Sequence, residues 1–152
     1  MDRTLIQCGT EQDSVNGQAY YLAWFEVLPQ YSRTINNFHV SSGDKIVASI
    51  TLVDSAKNQW LIELNDTTMQ ESFNQSITYR SSMLSAEWIV EAPTLINRIA
   101  TLANFGEVTF TDCQTTIGGE TTISIPFSLI FLSTFASKCN SPRPETKVSP
   151  VS

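Results

Sequence analysis

The chain has 152 residues, of which 41% are hydrophobic and only 16% charged, so it is globular and long enough to bury one core. Fifteen acidic residues against nine basic ones leave a net charge of −6, which excludes nucleic acid and anionic membrane as partners, since both require basic patches. The most apolar stretch, 125–136, is too short to span a bilayer and is interrupted by Pro126, Ser128 and Ser133.

In chain order the segments alternate with a period of two, carry many β-branched and aromatic residues, and are bounded by turn residues. LIQC opens the chain by bringing Gln7 out of a short apolar run, and no signal peptide is visible before it. QAYYLAWFEV (18–27) follows the tight-turn pair Asn16-Gly17. KIVASITLV (45–53) follows the turn SSGD, QWLIEL (59–64) runs into NDTT, and QSITY (75–79) comes at hairpin distance. AEWIVE (86–91) reads as a strand that stops before Pro93, with Glu87, Ile89 and Glu91 on one face and Trp88 and Val90 on the other. TLINRIATLA (94–103) is the one stretch with possible helical spacing, and it also reads as a loop with a short turn. EVTFTDCQTTI (107–117) ends at Gly118-Gly119, and 125–136 supplies one or two more strands. The pattern predicts an all-β, antiparallel sandwich over 1–137, followed by a polar, Pro- and Ser-rich tail at 138–152.

The common catalytic sets are thinly represented. His39 is the single histidine, so a Ser-His-Asp or Cys-His nucleophile would depend on it alone, and beside Phe38 at a turn it reads as structural. Cys8, Cys113 and Cys139 lack zinc spacing, which predicts no metal site; one disulfide with a free thiol and three thiols both remain open. No Gly-rich loop joins a strand to a helix, so no nucleotide cofactor is expected. Carboxylates and amides remain. Glu87 and Glu91 are costly if their face is buried, and useful as acid or base if it lines a groove. Trp24 and Glu26 share a strand face in the same way.

LIQCGTEQDSVNGQAYYLAWFEVLP, SSGDKIVASITL, WLIELNDTTMQESF and SAEWIVEAP…LANFGEVTFTDC together resemble the glutamic peptidases of the eqolisin family, over roughly residues 4–120. The resemblance implies a lectin-like (concanavalin-type) β-sandwich that cleaves polypeptides at acid pH on its concave face, without metal or other cofactor. It implies a catalytic pair, Gln7 from the family's LIQTG motif and Glu87 from EWIVE. Glu11 matches an acidic position near that pair, and Trp24 and Glu26 match the family's AWYE segment beside the cleft. It also implies an extracellular location. Cys8 departs from the Thr or Ser the family carries beside its Gln. The family has further strands upstream of LIQTG, and its pattern fades here after about residue 120. The expectation is therefore an incomplete sandwich, able to self-associate through exposed strand edges. A catalytically silent β-sandwich that binds peptide or carbohydrate through Trp24 is the second reading, and a gene fragment the third.

Overall fold

The computed structural model describes residues 4–130, apart from 93, 96–97, 103–104, 118–119 and 124–126. The expected tail at 138–152, Cys139, the Gly118-Gly119 turn and the end of the apolar stretch lie outside the described residues. Among the described residues there are twelve strands and no helix, and every pairing is antiparallel.

The first strand, β1 (Ile6–Val15), turns at Asn16-Gly17 into β2 (Gln18–Val27). Asn16 (φ 52°) and Gly17 (φ 79°) both adopt positive φ, as a two-residue hairpin turn matched to strand twist requires. The pairing then runs unbroken from Val15↔Gln18 to Ile6↔Val27. A short β3 (Arg33–Thr34) adds to the far side of β2.

A second sheet follows in the order β4 (Ile46–Asp54), β5 (Gln59–Asp66), β6 (Glu71–Thr78). Its two turns are held by carboxylates. Asp54 accepts the Lys57 backbone N–H (3.0 Å) and pairs with the Lys57 ammonium, so its carboxyl lies below its ordinary value. The Asp66 carboxylate accepts the N–H groups of Thr68 (2.7 Å) and Met69 (2.9 Å), the Asx geometry that substitutes for a backbone turn.

The two sheets pack face to face. From β1 and β2 come Cys8, Ala23 and Phe25; from β4 and β5 come Ala48, Ile62 and Leu64; the 35–44 loop adds Ile35 and Phe38. The Phe25 ring of one sheet stacks on Phe73 of the other, with centroids 5.7 Å apart. Strand alternation fixes this division, since Ile62 and Leu64 point inward while Leu61 and Glu63 between them face the other way.

Beyond β6 the chain departs from two expectations. Residues 80–92 form no strand, and burial does not alternate there: Glu87 is exposed while Trp88 to Glu91 are all half-buried. A strand is defined by its ladder, and among the described residues this segment finds no strand to pair with. The stretch with possible helical spacing contains β7 (Thr94–Leu95) paired with β8 (Arg98–Ile99). The run at 107–117 divides into β9 (Glu107–Phe110) and β10 (Gln114–Ile117) around Asp112, which adopts φ 53°. Then β10 pairs with β11 (Glu120–Ile123), and β9 with β12 (Phe127–Ile130).

This packing sets two outcomes. Leu64→Ala removes a fully buried side chain from between the sheets and lowers stability by roughly 2–5 kcal/mol, whereas Ser76→Ala on the exposed face of β6 changes it by less than about 0.5 kcal/mol; urea unfolding measures both. Burial pushes the Cys8 thiol up to about 12 and also raises Cys113, aided by the Asp112 charge. Both are thiols in the fold, not disulfide partners. Native protein at neutral pH should therefore resist alkylation at Cys8 until it unfolds, as peptide mapping of labelled protein would reveal.

Candidate active site

The β1–β2 hairpin has a second face, turned away from the sheet-to-sheet core. The turn pairs residues whose numbers sum to a constant, so Cys8 faces Phe25 on the core side and Gln7 faces Glu26 on the other. Down that second face run the pairs Gln7–Glu26, Gly9–Trp24, Glu11–Leu22 and Asp13–Tyr20. Four of the expected site residues, Gln7, Glu11, Trp24 and Glu26, thus share one surface of one hairpin.

Gln7 and Glu26 are bonded directly, with Gln7 Nε2 donating to Glu26 Oε2. A carboxylate only accepts, so this bond fixes which end of the amide is nitrogen. One N–H of Gln7 is held by Glu26, leaving the second N–H and Oε1 for another group. Neither residue is fully buried. Trp24 is 3% exposed, and it lies across from Gly9 in the ladder. Glu11 and Asp13 are half-buried, so this face brings three carboxylates onto a single hairpin.

Cys8, which replaces a hydroxyl residue of the family pattern, faces the core and not Gln7. The departure beside the glutamine therefore alters the packing face and leaves the polar face unchanged.

Glu87 and Glu91 come from the segment after β6 and not from this hairpin. Glu87 is exposed, Glu91 is half-buried, and Gln7 bonds Glu26 instead of Glu87. Their segment is nonetheless fastened next to the start of β1. Thr4 Oγ1 donates to Ser82 Oγ (2.9 Å) and accepts from the Ser82 N–H (3.0 Å), and the Leu5 N–H donates to the Tyr79 hydroxyl (3.0 Å). These bonds set one motif's flank against the other's, with Gln7 three residues from Thr4 and Glu87 five from Ser82.

The family motif sets Glu26 only beside the cleft and gives Asp13 no place. The signal that finds both is the Asn16-Gly17 turn, because a two-residue hairpin loop fixes the register of every pair behind it. The buried Trp24 also removes the open indole face that carbohydrate stacking on this residue would need. No group of three or more His, Cys, Asp or Glu side chains among the described residues is placed to hold a metal ion, and no described helix is long and apolar enough to cross a membrane.

Three comparisons bear on this hairpin and its surroundings. The model of the family described as Peptidase A4 matches residues 1–131. Aspergillopepsin-2 of Aspergillus niger is 30% identical over 123 residues, which cover 79% of this chain and 43% of that protein. The chain therefore spans less than half the length of this curated relative. The crystal structure of aspergilloglutamic peptidase from Aspergillus niger matches the fold with a TM-score of 0.69 at 24% identity, covering 95% of this chain and 90% of that one. With a match that runs from the first residue through the Gln7 hairpin, the Glu87 segment and β12, the chain belongs to the Peptidase A4 family, the glutamic peptidases.

Proposed function

We propose that the chain hydrolyses polypeptides at acid pH with Gln7 and Glu87 as its catalytic pair. The observation that carries this reading is the Gln7–Glu26 hydrogen bond on the hairpin face turned away from the core. A glutamine that served only as a surface strand residue would not need a carboxylate to fix its amide. An amide that must present defined donors and acceptors to a reacting group does.

In the proposed reaction Glu87 takes a proton from water, and that water attacks the scissile carbonyl. The Gln7 amide orients the water and donates to the developing oxyanion with the N–H that Glu26 leaves free. Glu87 then passes its proton to the leaving amine, a step that acid pH favours. Glu26 acts as a positioning residue, and Glu11 and Glu91 complete an acidic surround in which Trp24 forms a wall and not a platform. The chemistry uses no cofactor. The same family reading carries an extracellular location and self-association through open strand edges. The other reading, a silent binding module that uses Trp24, has the weaker support because that indole is buried.

Hydrolysis of an unfolded protein substrate between about pH 2 and pH 7 tests the proposal. Glu87→Gln should lower kcat by about 10²–10⁴-fold through loss of the acid–base group, and Gln7→Ala by about 10²–10³-fold through loss of the oxyanion donor. Glu26→Ala should cost roughly 10–100-fold through misplacement of the Gln7 amide. Folded protein that fails to cleave at any pH, or a Glu87→Gln variant as active as the parent, would rule the pair out.

A further inference from the structure

A second cluster of titratable groups lies where β5 turns into β6. Asp66 and Glu71 face each other across the strands on either side of that turn. Asp66 is 1% exposed; its Oδ1 is taken by the Thr68 and Met69 N–H groups, and its Oδ2 is buried without a hydrogen-bond donor among the described residues. Glu71 turns to the 35–44 loop. Its Oε2 accepts the His39 backbone N–H (2.6 Å), and its Oε1 meets His39 Nδ1 (2.8 Å). One residue of the loop thus occupies both oxygens of one carboxylate.

The residues around His39 make that grip consequential. Phe38, immediately before it, is 4% exposed in the core, and Ile35 is 6% exposed. The Ile35 N–H donates to the Ala23 carbonyl of β2 (2.8 Å), which anchors one end of the loop on the first sheet. The His39–Glu71 contact anchors it on the second. The other charged groups here are engaged separately. Asp44 accepts the Ser41 N–H (2.6 Å), while Lys45 meets Thr67 and Thr68 through its backbone.

We propose that Glu71 is a proton-operated latch that holds the 35–44 loop across the two sheets, closed while its carboxylate is ionised and released when it takes up a proton. The backbone N–H of His39, then its ring, hold the Glu71 carboxyl below its ordinary value of 4.5, and the opposed charge of Asp66 works more weakly in the other direction. A carboxylate lowered in the fold stabilises it above the unfolded value and loses that contribution as pH falls through the folded one. The latch is therefore shut at neutral pH and opens below 4.5, inside the acid range. The largest contribution comes from a backbone donor that does not titrate, so closure does not require a charged imidazole. The latch stands independently of any peptidase activity.

Residue-resolved amide exchange of the full chain by NMR, corrected for intrinsic rates, tests the latch. Between about pH 6 and pH 3 the His39 N–H and its loop neighbours should lose protection, by at most about tenfold per pH unit below the Glu71 titration, since one proton is involved. Ile62 and Leu64 on β5 should keep theirs. Glu71→Gln should abolish the pH dependence of the loop, while His39→Ala, which retains the backbone donor, should keep a reduced one. Loop protection that is flat with pH in the parent, a Glu71→Gln profile that follows the parent, or equal loss on β5 would each overturn the proposal.

Discussion

The Asn16-Gly17 turn is the constraint on which the remainder of the site depends. Two residues at positive φ close the hairpin with a two-residue loop, and everything behind that loop follows by alternation. Inserting one residue would shift the pairing and turn the core set of Cys8, Ala23 and Phe25 to the opposite face. It would also part Gln7 from Glu26. Core and site are written on the same twenty residues of backbone, one on each face, so register errors are penalised by the apolar face on behalf of the polar one.

That arrangement explains why the two faces tolerate different changes. On the core side the demand is volume and low polarity, which Cys8 meets as a small buried hydrophobe. On the other side the demand is donor and acceptor placement. Among residues of similar volume, Glu, Met and Leu offer no N–H for Glu26, and Lys brings donors but no acceptor oxygen, so only the amide presents both.

Much of the fold was legible because it is local. The strand at 18–27 was readable to its ends from the turn before it and the alternation within it, and β4 and β5 nearly so from their own turns, whereas β6 was read only from Gln75 although it begins at Glu71. The direct Gln7–Glu26 contact was legible too, by counting back from Asn16-Gly17. What could not be read is non-local. AEWIVE has the composition of a strand, but a strand also needs a partner for its backbone groups, and no alternation pattern in one segment specifies a partner elsewhere. TLINRIATLA left a helix and a loop with a short turn both open, and its described residues pair as a short hairpin. The family motif in 86–91 nominates Glu87 for the proposed pair independently of its secondary structure, because a motif can be read whether or not its backbone reads clearly.

A peptidase proposed to work in acid must hold its shape as its carboxylates take up protons, and the way this chain distributes its interactions meets that demand. The ion pairs His39–Glu71 and Lys57–Asp54 both join partly exposed groups in or beside loops. Surface pairs of this kind contribute little to global stability. The sheets are held together by Phe25 against Phe73, by Ile62 and Leu64, and by backbone ladders, none of which titrates. The contacts that join the two sheets are thus insensitive to acid. Acidification can loosen a loop at Glu71 without parting the sandwich, and it leaves the Gln7 hairpin in register because a turn at positive φ and an apolar face, not a charge, maintain it.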